Sequence, residues 1–239
     1  MTLLLNLYLG HLLGDFVFQP GWLVAAKRHR ASGLILHVVI IGICTAILLG
    51  GDVVGLLGMV ALAMAAHLAI EMLTIRLRFS EGLSALSVFI VDQGLHLTSL
   101  VALVWAASRL GDIERVQTLG LDVGPAMLAM ACSLLGVTFM GAIIIHEVGN
   151  SFGPETFRRA ILPYDAPRIY GMIERGLALV LAIQIHPALV LAPFVPRALY
   201  LVRLQHDARL MQALAALVGM LVCISGYTAV TVVVLAVYR

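Results

Sequence analysis

Apolar residues run along this chain in stretches too long for most soluble cores and too continuous for β-alternation. They cover residues near 2–19, 33–50, 53–75, 84–107, 125–147, 169–186, 188–202 and 210–238, and each run predicts a helix able to cross a bilayer or nearly so. Polar punctuation separates them at 27–30, 50–52, 76–81, 108–124, 149–168, 186–187 and 203–209. The seventh run is short and holds Pro193 and Pro196, so it reads as a crossing or as a broken, re-entrant segment. The pattern predicts an all-α polytopic transmembrane bundle of about eight helices, or about seven if that segment re-enters.

Composition supports the same class. Of the 239 residues, 62% are hydrophobic and 12% charged, against about a quarter charged in soluble domains. In lipid every backbone group needs an internal partner, which leaves helices or a closed barrel, and the absence of strict alternation selects helices. Cys44, Cys132 and Cys223 fall in three different runs without CxxC spacing, so they read as packing residues and not as a disulfide framework. Met1 leads straight into an apolar stretch with no basic n-region or small-residue cleavage signal, which predicts a retained first helix.

Lysine and arginine orient the chain. With the first connection in the cytoplasm, Lys27, Arg28, Arg30, Arg76, Arg78, Arg158, Arg159, Arg168, Arg203 and Arg209 fall on the cytoplasmic side. Only Arg109, Arg115 and Arg239 fall outside, while Arg175 and Arg197 lie within spans. A re-entrant seventh segment would move Arg203 and Arg209 across, which favours eight crossings. The connection 149–168, with Pro154, Pro163 and Pro167, predicts a boundary between an N-terminal five-helix region (1–148) and C-terminal membrane helices (149–239).

Against this background the polar residues inside the runs stand out. His11, Asp15 and Gln19 recur at i, i+4 and i+8, and on one helix they would share a face. His67 with Glu71, and Asp92 with His96, repeat the spacing, and His37 sits alone in the second run. Ionisable groups in a span are costly, about 2.5–3.5 kcal/mol for a central carboxylate on insertion scales, and they usually face an interior site. Counted along helices of alternating direction, all seven lie roughly 6–18 Å from one membrane face. Gly10 and Gly14 form a GxxxG, and Ala61, Ala65 and Ala69 make a small-residue stripe, both suited to close helix approach.

Three chemistries fit such a cluster: structural pairing, a proton or cation path, or ligation of one or two metal ions. A histidine and a carboxylate four apart aim two donors at one point, as in helical zinc and di-metal sites. Imidazole with carboxylate suits zinc, iron or manganese. Seven donors exceed a four-coordinate zinc site, so two ions, or one ion with outer carboxylates orienting histidines, fit the count. Gln19 and Gln93 read as residues that orient ligands or substrate. Lys27 reads first as a positive-inside anchor, with contact to an anionic substrate group as its functional role. Glu174 and Arg175 read as residues that pair with facing groups, or as substrate contacts. No nucleotide cradle, serine elbow or basic nucleic-acid patch is present.

The run 11–16 (His11, Gly14, Asp15), followed by Gln19, Lys27, His37, His67 with an acid at 71, and Asp92-Gln93 with His96, resembles a bacterial integral-membrane family. That family is catalogued as a domain of unknown function, number 3307. Glu71 stands where the family more often shows Asp. The resemblance covers the chain through His96; beyond it, 171–177 is similar to a GxxER segment of longer members. It implies a bacterial inner-membrane protein and no particular activity. A looser likeness to membrane-bound metal-dependent hydrolases points the same cluster toward catalysis.

The expectation is therefore a metal-dependent enzyme of the bacterial inner membrane. Zinc or iron, one or two ions, would be held by His11, Asp15, His37, His67, Glu71, Asp92 and His96. It would hydrolyse a membrane lipid or other hydrophobic molecule at the cytoplasmic side, with Asp15, Glu71 or Asp92 as general base; an oxygen-activating iron centre is a variant. The rival is a divalent-cation or proton transporter, which needs a polar path to the opposite face. The outer halves of the first four runs offer few polar groups for one: Thr2, Asn6, Tyr8, Cys44, Thr45, Thr98 and Ser99.

Overall fold

A computed structural model describes residues 1–79, 82–110, 116–118, 124–153, 155 and 161–237. Of the charges that orient the chain, Arg115, Arg158, Arg159 and Arg239 lie outside the described residues. The fold is all-helical, as the apolar runs predict. Its elements are α1 (Thr2–Leu12, continued by a π-helical turn, Leu13–Val17), α2 (Gly21–His29), α3 (Ala31–Leu48), α4 (Val53–Arg78) and α5 (Ala85–Leu110). Then come α6 (Pro125–Leu135), a second π turn (Gly136–Met140), α7 (Gly141–Phe152), α8 (Ala166–Gln184), a 3-10 helix (Pro187–Phe194), α9 (Val195–Leu201) and α10 (His206–Val237). Two three-residue strands, β1 (Leu49–Gly51) and β2 (Val116–Thr118), pair antiparallel with Gly50 opposite Gln117.

Five stretches are long and apolar enough to cross a membrane: Ala31–Leu48, Val53–Arg78, Ala85–Arg109, Pro125–Phe152 and His206–Val237. Their outward faces carry exposed Ile35, Ile43, Leu57, Leu62, Ile90, Val101, Leu217 and Leu221, an apolar mantle that water would not tolerate and lipid covers. Thr2–Val17 and Pro187–Leu201 are apolar but shorter, and the latter is broken between its 3-10 and α parts, where Pro193 and Pro196 deny the backbone two donors. The helix starts follow local chemistry. Asp52 caps α4 by accepting from Gly55 N at 2.8 Å, and Asp165 caps α8 by accepting from Arg168 N at 3.1 Å.

The chain divides into two compact units, Met1–Leu128 and Ala129–Arg239. The division does not fall in the 149–168 connection that the polar pattern selected. Instead, the second π turn and α7 pack with α8 and α10, around Val137, Leu179, Phe194 and Cys223.

In the first unit α1, α3, α4 and α5 form a ring, each packed on its two neighbours, with α2 laid against α3. The glycine pair of α1 makes one of these contacts possible: a Cβ on Gly14 would sit 3.0 Å from the Ile41 Cα of α3, and one on Gly10 3.0 Å from Thr45 Cα. The alanine stripe does not do the same, because Ala61, Ala65 and Ala69 face outward while Ala63, His67 and Glu71 of α4 face the ring. All three cysteines are buried and free. One end of the ring is closed by an apolar cluster of Leu3, Leu7, Leu49, Met59, Leu100 and Ala107.

Candidate metal centre

Four helices bring their polar residues to the middle of this ring. The i, i+4 spacing works on each helix as expected: His11 Nε2 lies 3.9 Å from Asp15, His67 Nε2 3.8 Å from Glu71, and His96 Nε2 3.6 Å from Asp92. Gln19 departs from the expected face. The helix ends at Val17, after a π turn in which Phe18 N bonds Leu13 O at 2.8 Å. Pro20 keeps the residue before it out of helical geometry, so Gln19 reaches the site from an extended link. The π turn carries Asp15 itself; such turns re-aim side chains and recur at functional sites.

Between helices the convergence is close. The ring of His67 lies 4.2 Å from that of His96 and 5.0 Å from that of His37, and His11 lies 4.6 Å from His96, centre to centre. Three overlapping groups each offer ligand atoms within 4.8 Å of one another: His11, His67 and His96; Asp15, His37, His67 and Glu71; and Asp15, Asp92 and His96. His67, His96 and Asp15 each belong to two groups, so these form one centre. All seven predicted ligands are in it, and all are buried except the partly exposed Asp92.

Lys27 corrects the reading of it as an anchor at the membrane surface. The basic cluster 27–30 is not a plain connection: Lys27, Arg28 and His29 form the last turn of α2. Gly33 lets α3 approach Ala26, which carries the Lys27 ammonium over the ring, 2.5 Å from Glu71 Oε1 and 3.8 Å from Asp15 Oδ1. Two amides tie the acids to the imidazoles. Gln93 Nε2 donates to Asp92 at 2.9 Å and to Asp15 at 3.2 Å, while its oxygen meets His11 Nε2 at 3.3 Å. The Gln19 amide is best satisfied with its oxygen on Lys27 Nζ (2.9 Å) and the His37 ring, and its nitrogen on the Asp15 carbonyl (3.2 Å).

Charge and orphaned donors test whether a metal fits. Counted as ionised acids and neutral imidazoles, Asp15, Glu71 and Asp92 face one cation, Lys27, leaving two uncompensated negative charges in a buried site. One divalent ion would balance them. His96 Nε2 is buried without a hydrogen-bond partner among the described residues, although a buried imidazole normally has one. Ligands about 3.3 Å apart surround a tetrahedral zinc ion; His37 Nε2 lies 3.3 Å from Glu71 and 3.4 Å from Asp15. The donor set, imidazole with carboxylate, fits zinc or iron. Beside the three-histidine group is a cavity of about 10 Å³ edged by Thr45 and Ser99, room for a single water-sized occupant.

Glu174 and Arg175 belong to the second unit and have partners of their own there: Glu174 takes two bonds from Arg197, and Arg175 donates to the carbonyls of Val137 and Thr138. Both therefore pair with facing groups, as expected, although the sequence does not say which: Glu174's partner, Arg197, lies on another helix.

Residues 3–117 match the model of a family described as Protein of unknown function (DUF3307). No curated protein and no solved structure matches the chain.

Proposed function

Because residues 3–117 belong to the DUF3307 family and contain every residue of the centre, we propose that this domain is a metal-dependent hydrolase. It would act on a lipid or other hydrophobic molecule from the cytoplasmic side of a bacterial inner membrane. The observation that carries the reading is His96 Nε2, buried and without a hydrogen-bond partner among the described residues, 3.6 Å from Asp92 and beside two other imidazoles and an excess of two carboxylates. A bound zinc or iron ion would supply Lewis acidity and a lowered pKa for water.

The chain's own residues divide the remaining work. Asp15 and Glu71 are engaged by Lys27, so their part is to fix that ammonium and the imidazoles. Asp92, with its side chain 16% exposed, is the carboxylate with freedom to accept a proton as general base. Lys27 and Gln19 line the same side and would meet an anionic or polar substrate group. The apolar closure by Leu3, Leu7, Leu49, Met59, Leu100 and Ala107 favours a one-sided site over a transport path.

The test is metal analysis of the purified protein beside the His96→Ala variant, then lipid hydrolysis and ion flux in vesicles. Bound metal, lost in the variant, with hydrolysis that follows metal content, is the expected result. No metal in the wild type, even after incubation with zinc or ferrous iron, ends the reading. Metal with flux and no turnover replaces it with a divalent-cation transporter.

A further inference from the structure

The Ala129–Arg239 unit has a charged site of its own, built from residues that take no part in the metal centre. A cavity of about 240 Å³ lies among α7, the first turns of α8, α9 and the second to fourth turns of α10. Ile145, Met211, Leu214 and Val218 give it apolar walls, and Arg168, Arg175 and Arg197 line it with three guanidinium groups.

Arg175 is the anchor. It is only 2% exposed, and its Nε donates to the Val137 carbonyl at 2.5 Å and its Nη2 to that of Thr138 at 2.9 Å. Both acceptors lie in the second π turn, whose irregular ladder makes carbonyls available to a side chain. These partners satisfy hydrogen bonds but supply no opposite charge. Glu174, next to it in sequence, is turned to Arg197 (Nη2 at 2.7 Å), which also donates to Gln212 at 2.6 Å. Arg168 lies over the Tyr164 ring at 4.8 Å, and its buried Nε has no hydrogen-bond partner among the described residues.

Among the residues lining the cavity, three guanidinium groups face one carboxylate, Asp165, which also caps α8, while Glu174 behind them is held by Arg197. Over these five groups one positive charge is left over. His146, at the edge, meets Asn150 at 3.1 Å. The first turn of α8 borders the same space, so its helix dipole adds to the positive field. A buried guanidinium without a counter-charge is costly, and planar guanidinium groups match phosphate oxygens in pairs.

We infer that this cavity binds a phosphate head group, with the apolar walls taking the first carbons of an attached chain. Arg175 and Arg168 bind the phosphate, and Arg197 is held by Glu174 as the rim.

The experiment uses the full chain in phosphatidylcholine nanodiscs, with a minor fraction of phosphatidic acid or with inorganic phosphate as probes. Retained lipid is read by native mass spectrometry and the unfolding midpoint by heating. The wild type is expected to retain phosphatidic acid about tenfold over its share of the bilayer. Arg168→Gln, at a half-exposed position, and Ala215→Phe, which fills the cavity without changing charge, should each reduce that retention severalfold. Arg175→Gln should abolish it, and if that variant does not fold the other two decide. A rise in midpoint with phosphatidic acid alone assigns the phosphate to a lipid; a rise with inorganic phosphate as well assigns it to the head group by itself. Retention of both lipids in proportion to the bilayer, or phosphatidic acid retention equal in wild type and in both variants, overturns the inference.

Discussion

The two units place ionisable side chains in apolar helices with opposite balances. In the first, three carboxylates surround one lysine, and the remaining donors are imidazoles with lone pairs to give. In the second, the three arginines that line the cavity meet two carboxylates, Glu174 and Asp165, and the most buried guanidinium rests on backbone carbonyls. Each arrangement is locally hydrogen-bonded, yet neither is neutral. In a low dielectric the sign of what is left over would favour a divalent cation in one and, as inferred above, an anion in the other. Hydrogen bonding alone would not separate the two sites.

The largest effect expected in this comparison is at His67, which belongs to two of the donor groups. His67→Ala should lower metal occupancy by more than about tenfold, the scale seen when a ligand's support is lost, while the second unit's phosphatidic acid retention stays unchanged. Equal occupancy in wild type and variant, measured as metal per protein, would break the assignment of a cation to the first unit.

Next come the counter-charges. Lys27→Met leaves Asp15 and Glu71 without their cation, and losing one partner of a buried pair costs about 3–5 kcal/mol. The metal-free variant should unfold at a lower temperature than the metal-free wild type, and zinc should recover more midpoint in the variant. Glu174→Gln is the mirror case: it raises the positive surplus, so phosphatidic acid should restore more of its midpoint than of the wild type's. If zinc rescued Glu174→Gln as well, the contrast in sign would not hold.

The smallest effect concerns how the ring is closed. Gly14→Ala would press a methyl group against Ile41, whose Cδ1 lies 2.5 Å and Cα 3.0 Å from the added atom. The cost should be about 1–3 kcal/mol, seen as a lower midpoint with partial metal retention. Ala65→Leu, on the outward stripe, should change neither, and a fall in metal content there would mean the ring is packed differently.

Much of the first unit was legible along the chain. Period-four pairs of histidine and acid in apolar runs have few cheap alternatives in lipid, so their spacing already implied an interior site. What could not be read is everything decided by backbone path. Lys27 looked like one of a basic run at a membrane surface, and only the return of α2 onto α3 turns it into a buried counter-ion. Gln19 stays beside the cluster but not on the helix, since Pro20 ends the helix before it. In the second unit, Glu174 pairs with a facing group as expected, but which one, Arg197, more than twenty residues away, is set by the fold.

The amino-acid sequence by itself determined the helical membrane class, the faces of α1, α4 and α5 that carry polar groups, and which histidines and carboxylates gather in the ring. These follow from hydrophobic periodicity and from the cost of a lone charge in lipid, both local properties. Tertiary structure alone decided which charges balance one another, where the chain divides, and that Arg175 leans on carbonyls of a π turn. Those outcomes depend on distances of a few ångströms between segments far apart in the chain, and Coulomb energy in a buried site changes sharply over such distances.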